Sequence, residues 1–300
     1  MPDFISKLQH NTYEKGEFTD EQSRSLADTL EIIKTFPWDK ERTLTDIQLT
    51  GPSVTIQDDM GNYLKIGLYF GGKYCLYYLD TDNHLYEYHL PELKDVYTVV
   101  TDFFSGQIDL GKFEKHFLSM GSKSHFQNAS FEHTINTFAF AMRFVSSIFL
   151  LLLMIGSVST LIISKPPAVV GIIFPIFLLA ICMLVIYTLY LTLRFYNRSK
   201  NMYLNLSQGN PIFQFGDNDE VREYNKGDIS NINVYGPYST KGTPILNIME
   251  IVFKDGSGIK LPGMLIDPLV FISKFKDIKT EFFSKQAEVQ KSRWAFARGE

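Results

Sequence analysis

Two long apolar stretches divide the chain. Residues 144–163 (FVSSIFLLLLMIGSVSTLII) and 168–193 (AVVGIIFPIFLLAICMLVIYTLYLTL) carry no charged side chain. A helix crosses the hydrocarbon core of a bilayer with about 20 apolar residues, so each stretch is long enough to span it. Core helices of soluble proteins rarely stay uncharged over such a length, and two in succession are rarer still. Only residues 164–167 separate the two, and Pro166 and Pro167 suit the end of one helix and the start of the next. The pattern therefore predicts an antiparallel transmembrane hairpin. Gly156, Ser159 and Thr160 give the first helix a face of small residues, and Pro175 predicts a kink in the second. Neither stretch holds an acidic residue or a histidine, which an ion or proton path would place near the midplane. The hairpin reads as an anchor.

Before the hairpin the pattern changes. Residues 19–22 (Thr-Asp-Glu-Gln) have capping-box spacing, and Leu26, Leu30 and Ile33 then share one helical face before Pro37. Alternating runs follow at 46–50, 53–57, 62–70, 73–79 and 85–90, separated by turn signals at Gly51-Pro52, 58–61, Gly71-Gly72 and 80–83. Breaks this short join antiparallel neighbours, which predicts a five-stranded meander. A helix between Pro91 and Gly106 carries the stripe Leu93, Val96, Tyr97, Val100, Phe103 and Phe104, suited to covering one face of that sheet. After the hairpin come short strands at 203–206, 212–215, 221–224, 229–235, 248–253 and 259–261. Asp267 and Pro268 then open a helix with Ile272, Phe275, Ile278 and Phe282 on one face.

Charge sharpens this division. Residues 1–116 hold 11 Lys/Arg against 20 Asp/Glu, residues 117–200 hold 6 against 1, and residues 201–300 hold 12 of each. Lys112, Lys115, Lys123 and Arg143 precede the hairpin and Arg194, Arg198 and Lys200 follow it, whereas the connection between the spans has Lys165 alone. Positive charge marks the cytoplasmic side, so both termini are expected there, in a two-pass protein of an inner, cytoplasmic membrane. An acidic head and neutral tail exclude a nucleic-acid binder, because phosphate contacts need clustered Lys and Arg. Cys75 and Cys182, one in a strand and one in a span, suit a reducing compartment rather than a disulfide. The first ten residues lack the apolar run of a secretory signal.

Candidate chemistry is sparse. Residues 106–112 follow a phosphate-binding loop for seven positions, but Phe113 stands where Ser or Thr binds magnesium, and a helix precedes it instead of a strand. His84 and His89 lie five apart on a strand, on opposite faces, and His116, His125 and His133 match no zinc spacing. Asp58-Asp59 and Asp80/Asp82 sit in turns that favour aspartate, and residues 80–83 lack the glycine and glutamate of a calcium loop. No serine-hydrolase, zinc-protease or kinase motif is present. The expectation is no enzyme, no cofactor and no metal. Seven tyrosines (Tyr63, Tyr69, Tyr74, Tyr77, Tyr78, Tyr86 and Tyr88) crowd the meander. Strand propensity accounts for such enrichment. A partner-binding face is the functional alternative, with Tyr63, Tyr74, Tyr86, Tyr88, Asp80 and Asp82 as its candidates.

The strands after the hairpin, with EYNKGDISNINVYG (residues 223–236) and IVFKDGSGIKLPG (residues 251–263), resemble bacterial pleckstrin-homology-like domains that follow a transmembrane hairpin. The resemblance implies a small barrel or pair of sheets closed by a terminal helix. The lipid-binding members read phosphoinositides with Lys and Arg in the first strand–loop–strand. Here that loop is Ser207-Gln208-Gly209-Asn210, so that activity is not implied. The compact acidic, aromatic first domain resembles small bacterial immunity proteins that neutralise toxins of competing cells. Taken together, the expectation is an α+β membrane protein. Residues 1–110 form an α+β recognition domain, 111–143 a juxtamembrane linker, 144–193 the hairpin, 201–285 a pleckstrin-homology-like β domain and 286–300 a tail. The expected function is non-enzymatic binding at the membrane. One form is immunity against a basic toxin; the other is a scaffold or regulator that self-associates or senses lipid. The expected partners are a protein, the lipid bilayer and, for the scaffold, further copies of the chain.

Overall fold

The computed structural model describes residues 2–42, 49–117, 121–163, 168–217, 220–236 and 244–298. It comprises two compact units, residues 1–131 with 207–210, and residues 132–206 with 211–300.

The first unit is a seven-stranded antiparallel sheet backed by helices. Its elements are β1 (Phe4–Gln9), β2 (Thr19–Arg24), α1 (Leu26–Thr35), α2 (Trp38–Glu41), β3 (Ser53–Gln57), β4 (Tyr63–Leu68), β5 (Tyr74–Leu79), β6 (Leu85–Leu90), α3 (Leu93–Phe104) and β7 (Glu114–Lys115). The spatial order is β2-β1-β3-β4-β5-β6-β7. Strands β3 to β6 form the expected meander, and α3 buries Val96, Val100, Phe103 and Phe104 as its stripe requires. The expected strand at 46–50 falls largely outside the described residues. Its place beside β3 is taken by β1, in the register Leu8↔Val54. The expected helix start at 19–22 is corrected: these residues form edge strand β2, and Ser25 caps α1 instead, accepting from Asp28 N at 3.3 Å. Edge pairing to β1 satisfies more backbone groups of this polar run than a frayed helical turn would. Within residues 111–143, expected as linker, Glu114–Lys115 form β7 on β6 and Phe126 packs over the sheet.

The two faces of this sheet differ in chemistry. One face presents Val54, Ile56, Leu64, Ile66 and Leu76, all fully buried under Ile33 and the α3 stripe. Burying each such side chain stabilises the fold by about 1.5–3 kcal/mol. The other face presents Lys7, Gln9, Thr55, Lys65, Cys75, Tyr77 and Glu87, and Phe126 covers part of it, lying 5.7 Å from the Tyr63 ring. Lys65 is 1% exposed. Its Nζ donates to Gln9 Oε1 at 2.7 Å and to His125 O at 3.0 Å, and among the described residues no carboxylate meets it. Burial, with the neighbouring Lys7, lowers the Lys65 ammonium to about 7.

The second unit holds β8 (Glu132–Thr134), α4 (Thr137–Ile163), α5 (Ala168–Ser199), β9 (Met202–Asn205), β10 (Ile212–Asp217), β11 (Glu220–Asn225), β12 (Ile229–Tyr235), β13 (Ile248–Phe253), β14 (Gly258–Pro262), α6 (Pro268–Ser273), β15 (Thr280–Phe283) and α7 (Gln286–Arg298). Two four-stranded sheets, β11-β10-β9-β8 and β14-β13-β12-β15, enclose a core that includes Leu204, Phe213, Ile232, Ile251, Leu261 and Phe271. The helical hairpin is inserted in the first of these sheets: β8, before α4, pairs antiparallel with β9, after α5, in the register His133↔Leu204. The single helix expected from Asp267 to Phe282 is also corrected. It ends at Ser273, and Thr280–Phe283 pairs in parallel with the open edge of β12. Backbone pairing on that edge satisfies groups that a continued helix would leave exposed on β12. The expected tail folds into α7, whose Val289 and Phe296 are buried.

Both long helices are long and apolar enough to cross a membrane. They are not core helices of the protein: Leu152, Phe177 and Leu184 are each 60–63% exposed, and hardly any of the apolar stretch is covered by other residues. The expected turn at 164–167 lies outside the described residues.

The state of Lys65 gives a pH dependence with a definite sign. Between the ordinary lysine range and about pH 7 the unfolded chain keeps a proton that the folded chain has shed. Stability is therefore greatest at high pH, falls by about 1.4 kcal/mol per unit as pH drops through that window, and levels off below it. Denaturant titrations followed by the fluorescence of buried Trp38 should report this slope, and Lys65→Met should remove most of it.

Candidate binding site

The tyrosines singled out from sequence do not share one surface. Tyr63 is buried on the polar face of the first sheet, with Gln127 Nε2 donating to its hydroxyl at 3.3 Å. Tyr74, Tyr86 and Tyr88 point to the helix-covered face and are half-buried, against Trp38 (5.4 Å), Tyr78 (6.0 Å) and Phe113 (5.1 Å) respectively. Asp80 works within its own turn, accepting from His84 N at 2.7 Å with His84 Nδ1 3.0 Å from its other oxygen. Asp82 is exposed beside it. The loop at 106–112 has Gly106 with φ +69° closing α3, and Asp109 Oδ1 accepts from Gly111 N at 3.1 Å, so a side chain already occupies part of that turn. In the loop 207–210, Glu17 accepts from Gly209 N at 2.9 Å and Asn210 N at 2.9 Å, so a carboxylate holds the backbone donors there.

A more promising arrangement lies where α5 leaves its apolar stretch. The last two turns of α5 present two faces. Leu191 and Phe195, at i and i+4, are buried against Leu246, Ile248 and Phe296. Tyr190, Arg194, Asn197 and Arg198 are exposed, and Arg194 and Arg198 flank the buried pair. Helix α7 packs alongside, with Phe195 and Phe296 rings 5.0 Å apart and Arg293 Nε donating to Leu246 O at 2.8 Å. The result is an open groove of about 360 Å³ lined by Tyr190, Arg194, Asn197, Arg198 and Arg298 among others.

The groove is polarised along its length. Towards the apolar end of α5, Trp294 lies 6.3 Å from Tyr187 and 6.4 Å from Tyr190, and Tyr187 Oη is 3.3 Å from Gln290 Oε1. Aromatic rings with polar tips favour the level of lipid headgroups. Arg194 Nε donates to Tyr190 Oη at 3.1 Å, which orients the guanidinium along the helix. Three guanidinium groups in one groove give several paired N–H donors, the geometry that recognises phosphate and carboxylate oxygens bidentately. The sequence marks Arg194 and Arg198 as positive residues that follow the second apolar stretch. Arg298, a hundred residues on, had no sequence signal that would bring it to them.

A family model for the PH domain matches residues 130–274. The match begins before the hairpin, in agreement with the β8–β9 pairing that makes the two helices an insertion. A PH-like domain is therefore present, and it indicates a binding or scaffold role. No curated protein and no solved structure matches the chain.

Phe195 joins α5 to the β13–α7 side of this domain. Phe195→Ala should destabilise the second unit by about 3–5 kcal/mol, the usual cost of emptying a buried phenyl site. Thermal unfolding followed by Trp294 fluorescence should show the loss, while the Trp38 transition of the first unit stays in place.

Proposed function

We propose that the chain is a non-enzymatic, two-pass membrane protein whose PH-like domain binds the headgroups of anionic lipids at the leaflet from which its hairpin enters. The observation that carries this reading is the groove of Arg194, Arg198 and Arg298 beside Trp294, Tyr187 and Tyr190. Its support is geometric: basic donors directly follow an uncovered apolar helix, with aromatic rings between. A headgroup phosphate at that depth would meet the guanidinium groups while its acyl chains lie along α5. The excess of Lys and Arg on the outer flanks of the hairpin supports the same leaflet as the cytoplasmic one, with both termini there. In this reading the hairpin anchors and the domain senses or organises; self-association would add scaffolding to the same arrangement.

Toxin immunity draws its support from the acidic charge of residues 1–116 and calls for a basic protein partner. The groove favours lipid.

The test is native mass spectrometry of the full chain released from detergent micelles with matched anionic and zwitterionic phospholipids. Anionic lipid should be retained preferentially. Basic groups near a membrane surface contribute about 1 kcal/mol each, so Arg194→Ala with Arg198→Ala should weaken retention by on the order of 2 kcal/mol. Equal retention of both lipid classes, or unchanged retention by the double variant, contradicts the proposal.

A further inference from the structure

We propose that the β5–β6–β7 edge of the first unit is a binding site for one zinc-type divalent cation, ligated by Cys75, Glu87, His89 and His116. Three adjacent strands assemble it. Cys75 on β5 lies directly across from His89 on β6, and Tyr77 across from Glu87. The period-two alternation of a strand then places Cys75, Glu87 and His89 on one face of the sheet. Strand β7 pairs Glu114 with Glu87, and His116 N donates to Leu85 O at 2.8 Å, which extends the ladder by one residue and delivers the His116 ring to the same place.

The side chains converge on the Glu87 carboxylate. His89 Nε2 is 2.7 Å from Oε1, His116 Nε2 is 2.7 Å from Oε2, and Cys75 Sγ is 3.4 Å from Oε1. Ligand atoms of Cys75, Glu87 and His89 all lie within 4.8 Å of one another, a spread that one cation can bridge with small side-chain rotations. One sulfur, two imidazole nitrogens and a carboxylate are borderline-soft donors that select zinc over magnesium or calcium. Four protein ligands describe a closed, structural site.

Two further features suit a metal better than a simple ion-pair cluster. Exposure is graded: Cys75 is fully buried, whereas the side chains of Glu87, His89 and His116 are 18%, 38% and 37% exposed. The softest ligand thus sits at the base and the imidazoles at an open rim, which provides a route of access. The His89 ring is also held, stacked on Tyr69 at 4.0 Å and 29°. Outer contacts that fix ring orientation are typical of ligating histidines. On binding, the cation takes the central position, the Cys75 thiol gives up its proton to solvent, and each imidazole ligates through one ring nitrogen while keeping its N–H on the other. No oxidation or reduction is involved.

Cobalt(II) chloride titrated into the full chain in detergent micelles tests this directly, because cobalt reports its own geometry and ligands. The expected result is saturation at one cobalt per chain, intense tetrahedral d–d absorption and a thiolate-to-cobalt charge-transfer band, all abolished by added zinc. Cys75→Ser should lose the charge-transfer band. His116→Ala, at a partly exposed position, should weaken binding by at least about tenfold. His84→Ala, in the neighbouring turn with Asp80 and Asp82, should change neither, with Trp38 fluorescence confirming that each variant is folded. No stoichiometric uptake by the unsubstituted chain, a weak octahedral spectrum, or the same spectrum and affinity in the Cys75 and His116 variants overturns the site.

Discussion

The antiparallel pairing of Glu132–Thr134 with Met202–Asn205 is the contact on which the second unit depends. It holds the two ends of a long helical hairpin at neighbouring positions of one sheet, so the hairpin and the β domain are one folded object. The helices meet their own base again through Phe140 and Tyr196, whose rings stack at 3.9 Å and 7°. Leu191 and Phe195 carry α5 into the packing between β13 and α7. A domain linked to its helices only by a flexible tether would need none of these contacts. Their consequence is positional: the exposed face of the last turns of α5, with Arg194 and Arg198, is fixed relative to both the apolar stretch and the sheets.

The first unit shows a different balance. One face of its sheet is a conventional apolar core, and the other is rich in groups that are costly to bury. Lys65 is the extreme case, since its ammonium has two neutral acceptors and a lysine neighbour. The cost of burying an unpaired charge is met by neutralising the group. The same polar face continues to the β5–β6–β7 edge, where Cys75, Glu87, His89 and His116 gather. Alternation along the strands puts these groups on the face away from the apolar core.

Much of the plan was legible in the residues. The meander from β3 to β6 and helix α3 follow from strict alternation and a continuous apolar stripe, and the two long helices from two uncharged stretches. Among the strands that escaped notice, β1 reads Phe-Ile-Ser-Lys-Leu-Gln without clean alternation, β2 reads Thr-Asp-Glu-Gln-Ser-Arg, and β8 has three residues. Their position is fixed by an open edge elsewhere in the chain, and no local pattern encodes that. The same holds for β15, which takes helical spacing in sequence and strand pairing in space. For the sites, alternation alone puts Glu87 and His89 on one face, and the hairpin turn at 80–83 puts Cys75 opposite. His116 needed β7, and Arg298 needed α7, neither of which the local sequence announces.

The proposed arrangement is a membrane hairpin of the two long helices with both of its ends on the cytoplasmic side. Site-specific labelling tests it most directly, in a chain whose Cys75 and Cys182 are replaced by serine and which carries one new cysteine, Lys165→Cys or Lys200→Cys. With a membrane-impermeant maleimide added to sealed, right-side-out vesicles, such a hairpin gives labelling at position 165 and protection at position 200 until the vesicles are opened. Labelling of both positions, or of neither, in sealed vesicles would contradict it.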